Sequence, residues 1–133
     1  MGVFAQVIEP APSHWRALKP AAGRYEALTA IQHRHQRGEA VVLQITGEAE
    51  GLAVLWCERR QDGGRELVAA LGAGQGARPF IRWLIDFARA NRASSIRTHC
   101  QRPGLIRLYQ RQGFDIIGQD DSHYTILRWA DGR

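Results

Sequence analysis

The chain has 133 residues, of which 44% are hydrophobic, 8% aromatic and 23% charged, a composition typical of one globular domain. Its 14 Gly, 5 Pro and 2 Cys are too few for a collagen-like chain or a disulfide scaffold. Lys and Arg outnumber Asp and Glu by 18 to 13, and the resulting net charge of +5 favours a phosphate-bearing ligand or a polyanion.

Three features predict where the protein works. No apolar run approaches the roughly 18 residues that cross a bilayer, and the N-terminal segment lacks the basic-then-apolar pattern of a secretion signal. Cys57 and Cys100 are far apart in the sequence, as is common in reduced cytosolic proteins. We therefore expect one domain over residues 1–133, a cytoplasmic location and no membrane partner.

The first half of the chain predicts a strand, two helices and a three-stranded meander. Alternating polarity over Val3–Glu9 predicts the first strand. Ser13 is expected to cap a helix that begins at His14, and a second helix is expected over about residues 21–36. Three apolar segments then predict antiparallel strands, at residues 40–46, 51–60 and 65–72.

The second half alternates helices and strands, which predicts a β-α-β crossover. Pro79 lies in the first turn of a predicted helix, and Gly113 is expected to end a shorter one. The complete predicted order is β-α-α-β-β-β-α-β-α-β-β. It indicates an α/β fold with a mixed sheet, in which an antiparallel meander joins a β-α-β crossover and helices flank both faces.

A glycine-rich segment, Gly72–Ala77, stands between an apolar strand and a helix, and this order predicts an anion site. Glycines let backbone N–H groups converge on a phosphate, and a helix N-terminus adds about half a positive charge. Arg78 follows directly. Two observations argue against a Rossmann site: the segment follows an antiparallel meander, and the strand over residues 96–100 has no carboxylate for a ribose. A flexible turn is the alternative interpretation.

Two motifs in the second half resemble the GCN5-related N-acetyltransferase (GNAT) superfamily. Gly74-Gln75-Gly76 precedes a helix, and residues 108–114, Leu-Tyr-Gln-Arg-Gln-Gly-Phe, are similar to the family signature LYxxxGF. The resemblance covers about residues 67–129, and the predicted element order fits the family's topology. The sequence departs from the family pattern at Leu71, where Arg or Gln is usual, and near Arg102, where Asn is usual.

The resemblance implies a cofactor site and a general acid. In that family the glycine loop holds the pyrophosphate of acetyl-CoA through backbone N–H groups. The corresponding cofactor-binding residues here are Leu71, Gly74, Gln75, Gly76, Ala77 and Arg78. The family's tyrosine corresponds to Tyr109, which implies a general acid for the leaving CoA thiolate. A phenol with a pKa of about 10 suits a thiolate of similar basicity.

Attack of an amine on a thioester also requires a general base. His99, at the end of its predicted strand, is the preferred candidate, and Glu66 and Glu58 are the alternatives. Cys100 as a direct nucleophile is less favoured, because a packed core thiol is the commoner role of cysteine.

No metal is expected. His33 and His35 point away from each other on the predicted second helix, and no third ligand lies near them in the sequence.

The sequence thus predicts an acyl-CoA-dependent N-acyltransferase that moves an acetyl group from acetyl-CoA to an amine acceptor by direct attack in a ternary complex. Two other classes stay open. One is a GNAT-like binding protein that has lost catalysis, which the departures at Leu71 and Arg102 favour. The other is a nucleic-acid-associated GNAT-like protein, which the charge of +5 favours.

The acceptor and the oligomeric state follow less directly from the sequence. Asp115, Asp120 and Asp121, near the last hairpin, are candidates for binding a cationic acceptor. The exposed edge of that hairpin permits a homodimer.

Overall fold

The computed structural model describes residues 2–23 and 25–132. It contains seven strands and four helices within those residues, in the predicted order. Their bounds are β1 Val3–Ile8, α1 Pro12–Ala22, α2 Tyr25–Gln36, β2 Val41–Gly47, β3 Glu50–Arg59, β4 Arg65–Gln75, α3 Ala77–Ala90, β5 Ser95–Cys100, α4 Pro103–Arg111, β6 Asp115–Gln119 and β7 Thr125–Ala130.

The strands form one mixed sheet in the order β1-β2-β3-β4-β5-β7-β6. The β1–β2, β2–β3, β5–β7 and β6–β7 pairs are antiparallel. Only β4 and β5 pair in parallel among the registers that are described, from Glu66 opposite Ser95 to Ala69 opposite Thr98. Helix α3 makes this crossover, because a parallel connection requires a long segment between its strands. The predicted mixed sheet is confirmed.

The chain divides into two compact units, residues 1–56 with 70–76 and residues 57–69 with 77–133. The first has an apolar core between α1, α2 and its strands, with Leu18 and Val42 fully buried. The second buries Ile81 and Leu84 of α3 and Ile96 of β5. A single domain over the whole chain stays a prediction.

The start of α1 differs from the predicted one. The helix begins at Pro12, and Ala11, not Ser13, is its N-cap residue. Pro12 has no N–H group to satisfy, which suits the first helical position. The Nδ1 atom of His14 accepts a hydrogen bond from the backbone N–H of Ala11 at 2.9 Å. A helix capped by Ser13 would not account for this bond.

The predicted glycine-rich turn is also wrong in its extent. Strand β4 continues through the glycines to Gln75, and only Gly76 separates it from α3. The end of α4 is closer to the expectation, since Gly113 follows it with a φ of 98°. None of the helices within the described residues is long and apolar enough to cross a membrane.

Candidate active site

The glycines at positions 74 and 51 let two strands approach unusually closely. A Cβ atom on Gly74 would lie 2.0 Å from the carbonyl oxygen of Glu50, and one on Gly51 would lie 1.9 Å from that of Ala73. Both glycines have positive φ, at 143° and 149°. Gly74 is therefore required by the contact between β3 and β4, whatever else it binds.

Gly76 has a similar structural reason. Its φ is 85°, and a Cβ atom there would lie 2.6 Å from the carbonyl oxygen of Glu48 and 2.7 Å from the Cα of Ala49. The short link between β4 and α3 thus packs on the turn between β2 and β3. Packing therefore requires Gly74 and Gly76 of the predicted anion loop, independently of any ligand.

Gly72 is different, because a Cβ atom there would meet nothing within 4 Å. It is exposed, as are the side chains of Gln75 and Arg78. The side chain of Leu71, in contrast, is buried in the apolar core of the first unit. A ligand at this strand end would therefore contact the backbone of Leu71, while Gly72 leaves open space for it.

Tyr109 lies on α4 with its ring buried against Phe114, at a centroid distance of 4.9 Å in an edge-to-face arrangement. Its hydroxyl is hydrogen-bonded to the side chain of Thr98. The hydroxyl of Thr98 donates its one proton to the carbonyl of Ala69 at 3.0 Å.

Burial raises the pKa of Tyr109 to about 12, despite the opposing effect of the bond to Thr98. The sequence-based expectation of an ordinary phenol is wrong on this point. A phenol in this setting is neutral over the physiological range. It is a hydrogen-bond donor, and a weaker acid than an exposed tyrosine.

Cys100 does not have the character of a nucleophile. Its thiol is buried, and that burial raises its pKa, while the Sγ atom contacts the carbonyl of Arg102 at 3.7 Å. A buried protonated thiol is the inert form of cysteine, and this supports the packing role.

His99 is paired with a carboxylate. Its Nδ1 atom lies 2.8 Å from Oδ2 of Asp120, and the two side chains are 33% and 27% exposed. Asp120, considered in the sequence as a charge for a cationic acceptor, is thus bound to His99. The two residues are 21 positions apart in the sequence, and no sequence pattern predicts their pairing.

Glu66 is held on all sides by donors. Its side chain is 2% exposed and accepts hydrogen bonds from Ser95 at 2.7 Å, from Arg97 at 2.9 Å and from Arg128 at 2.7 Å. Burial alone would raise its pKa, but the bonds from Arg128 and Ser95 outweigh it and the pKa is lowered. A carboxylate so bound is a poor proton acceptor, which removes the reason for considering Glu66 as the base.

The alternation of side chains along β5 places the two remaining candidates, Tyr109 and His99, on opposite faces of the strand. Thr98 contacts Tyr109 on one face of β5, and consecutive side chains of a strand point to opposite faces. His99 therefore lies on the other face, with Arg97 and its carboxylate partners Glu66 and Glu58.

Within the described residues no group of three or more His, Cys, Asp or Glu side chains is arranged to hold a metal ion. His33 and His35 lie on α2, where the ring of His35 packs edge-on against that of Trp15, with 5.9 Å between the two centroids.

Comparison of the sequence matches no protein-family model and no curated protein. Comparison of the structure gives 81 matching chains. A Bacillus subtilis acetyltransferase in complex with CoA is similar at a TM-score of 0.69 and 15% identity, with 96% of this chain and 98% of that chain covered. A GNAT family acetyltransferase from Elizabethkingia anophelis with acetyl-CoA bound gives 0.67 and 14%, with 97% and 98% covered.

A third match is the N-acetyltransferase PseH of Campylobacter jejuni, with a TM-score of 0.64 and 11% identity over 98% of this chain and 99% of that chain. These likenesses extend over nearly the whole length of each chain, and the mixed sheet with its β4–α3–β5 crossover matches the topology expected from the motifs. The chain therefore has the fold of the GNAT acetyltransferases.

Proposed function

We propose that the protein is an acyl-CoA-dependent N-acyltransferase that transfers an acetyl group from acetyl-CoA to an amine. The observation that carries the proposal is the shared fold, since similar structures have CoA and acetyl-CoA bound. The open space at Gly72 supports it, because neither packing nor a positive φ requires a glycine there.

The phosphates of CoA are assigned to the end of β4 and the start of α3. The proposed donors are those backbone N–H groups of Leu71, Gly72 and Gly74–Gly76 that point away from β3, together with the first turn of α3 at Ala77 and the guanidinium of Arg78. Arginine suits a phosphate because its planar donors bind two oxygens at once.

In the proposed reaction the amine nitrogen attacks the thioester carbonyl carbon, and the proton of the amine passes to His99. The carbon–sulfur bond then breaks, giving the amide and the CoA thiolate. Tyr109 donates a hydrogen bond to the departing sulfur, and the proton released from His99 completes the CoA thiol. Because the pKa of Tyr109 is about 12 and that of a thiol is about 8.5, hydrogen bonding is favoured over complete proton transfer from the phenol.

The test is an assay of thiol release from acetyl-CoA with a panel of primary amines, namely an amino-acid amide, an arylalkylamine and a diamine. Acetylated product identified by mass spectrometry supports the proposal. The alternative hypothesis, a binding protein that has lost catalysis, predicts CoA binding with no product from any amine.

Charge supports a second candidate, an association with nucleic acid. The first compact unit has five basic and five acidic residues, whereas the second has thirteen basic and eight acidic, so the whole net charge of +5 belongs to the second. Helices α3 and α4 and the residues beside them present exposed arginines, with Asp86 the one acidic residue over 77–112. These are Arg78, Arg82, Arg89, Arg92, Arg102, Arg107 and Arg111. A surface of this kind suits a phosphate backbone.

A homodimer through β6 stays a prediction. This strand is at one end of the sheet order, and its Ile116 and Ile117 are 51% and 46% exposed. Concentration-dependent sedimentation of the wild-type chain tests for it.

A further inference from the structure

The contact between His99 and Asp120 resembles in its chemistry the arrangement that other enzymes use to prepare a histidine for proton transfer. The Nδ1 and Oδ2 atoms are 2.8 Å apart, a normal hydrogen-bond distance, and both side chains reach solvent in part. A histidine beside a carboxylate acceptor presents its N–H to that carboxylate, so its other nitrogen carries the lone pair.

Asp120 is itself fixed by the turn that follows β6. Its Oδ1 atom accepts the backbone N–H of Ser122 at 2.8 Å and that of Tyr124 at 3.0 Å. The backbone N–H of Asp120 donates to the carbonyl of Tyr124, and its carbonyl accepts the N–H of His123. The turn also holds His123 at a φ of 66°, a conformation that non-glycine residues rarely adopt.

The two oxygens of Asp120 therefore have separate tasks. One closes the turn and the other faces the imidazole of His99. Burial raises the pKa of Asp120, but the hydrogen bonds from His99, Tyr124 and Ser122 outweigh that effect and the pKa is lowered. The group next to His99 is accordingly an ionised carboxylate, which can only accept.

The arginines of β5 and β7 on the His99 side of the sheet are paired with carboxylates. Arg97, two residues earlier on β5, is paired with Glu58 and Glu66, and Arg128 on β7 is paired with Glu66. The residue opposite His99 on β7 is Ile126, which carries no charge. Beside the turn, Asp121 is exposed. Asp120 is thus the charged group that contacts the imidazole.

We propose that Asp120 is a positioning residue that holds His99 in the tautomer with hydrogen on Nδ1, so that Nε2 is the base that takes the proton of the amine. The assignment rests on the proposed function, because it names the group that orients the base of that reaction.

The replacement Asp120→Asn separates this role from a structural one. The two backbone N–H groups of the turn still require an oxygen, so the amide oxygen stays with them and the amide nitrogen faces His99. That nitrogen is a donor, and the imidazole must present a lone pair to it from Nδ1. His99 then carries its hydrogen on Nε2 and has no base for the amine, as happens when the aspartate of a catalytic triad becomes asparagine.

The experiment records long-range proton–nitrogen spectra of the imidazoles at about pH 9, where an ordinary histidine is neutral. His99→Gln identifies the His99 signals among those of the five histidines. We expect the Nδ1–H form in the wild type and in Asp86→Asn, and the Nε2–H form in Asp120→Asn. In the amine assay, Asp120→Asn should lower kcat by about 100-fold or more with little change in KM, and Asp86→Asn, which makes the same change at an exposed position of α3, should leave both unchanged.

The outcomes distinguish this inference from the proposed function. An Nε2–H signal in the wild type, or the same tautomer in the wild type and Asp120→Asn, overturns it even if the protein is an active acyltransferase. Equal kcat in the wild type and Asp120→Asn, in spite of a changed tautomer, removes Nε2 from the reaction. If the tautomer changes as expected and no amine is acetylated by any form, the proposed function fails and the base role fails with it, while the orientation of His99 by Asp120 stands.

Discussion

Gly74 and Gly51 face each other where β4 and β3 come together, and neither position has room for a side chain. A Cβ atom on Gly74 would meet the carbonyl oxygen of Glu50 at 2.0 Å and the Cα of Gly51 at 2.7 Å. The sequence pattern that most suggested a phosphate loop is therefore also a packing motif. Variants at these glycines that fail to bind CoA would not identify a CoA site.

Gly74→Ala should destabilise the protein by about 2 kcal/mol or more, because the new methyl group meets backbone atoms and the positive φ disfavours it. Gly72→Ala should have an effect smaller than about 1 kcal/mol, since its site is open. Urea unfolding of both variants measures the difference. Equal stabilities would contradict the close contact between the strands.

Tyr109 should ionise only at strongly alkaline pH. The chain has three tyrosines, and burial raises the pKa of Tyr109 to about 12. The unfolded chain binds this proton less tightly than the native one. The stability contributed is therefore complete below about pH 10 and is lost as the pH rises through about 12. The ultraviolet titration of the folded wild type should contain a late tyrosinate step that Tyr109→Phe lacks. An identical titration of the variant would place the late step elsewhere.

In the amine assay, Tyr109→Phe should lower kcat by about tenfold to 100-fold, because the departing sulfur loses its donor. Thr98→Val is the matched control, since it removes the hydroxyl that is bonded to Tyr109 and keeps the phenol. It should retain more activity than Tyr109→Phe. The reverse ranking would indicate that Thr98 is the donor that matters.

Glu66 should stabilise the fold in a pH-dependent way. Its pKa is lowered below the ordinary value of 4.5, so the stability it contributes is present above that value and is lost as the pH falls through the folded-state pKa. Glu66→Gln should cost about 3 kcal/mol at pH 7, because it leaves Arg97 and Arg128 with a neutral partner. Unfolding curves of both forms between pH 7 and pH 3 should converge toward the acid end. A constant difference would contradict the ion-pair account.

The arginine-rich helices should bind duplex DNA or RNA with a steep salt dependence if the second candidate function is correct. Arg82/Arg107→Gln should weaken binding and reduce the slope of the logarithm of affinity against that of salt by about two. Arg16/Lys19→Gln makes the same charge change on exposed residues of the first unit. Fluorescence anisotropy with a labelled duplex compares them. Equal losses in the two variants would show that net charge, not this surface, governs binding.

Much of the architecture could be predicted from local patterns. Apolar alternation and turn residues predicted the whole element order, and the motif around Tyr109 indicated the fold that the structural comparison confirms. The errors are at element ends. At Pro12 and in β4 a tertiary or backbone contact prevailed over the local signal, and nothing in the sequence shows that Gly74 opposes Gly51.

The site was less predictable, because its decisive contacts join residues far apart in the chain. His99 and Tyr109 can be recognised as candidates in the sequence because their side chains can accept or donate a proton. The bond of Tyr109 to Thr98, the pairing of His99 with Asp120 and the enclosure of Glu66 by Arg97 and Arg128 depend on strand register. Spacing along the sequence does not give that register before the sheet is known.

Calorimetric titration of acetyl-CoA into the wild-type protein, Gly72→Val and Gly2→Val tests the central claim most directly. Gly72 lies in β4, where valine is favourable, and a Cβ atom at either position meets nothing within 4 Å, so both variants should fold. The account predicts micromolar binding to the wild type and Gly2→Val, and binding weaker by about tenfold or more, or 1.4 kcal/mol, in Gly72→Val. Absence of wild-type binding at millimolar acetyl-CoA, or equal affinity in all three proteins, would contradict the assignment of CoA to the end of β4.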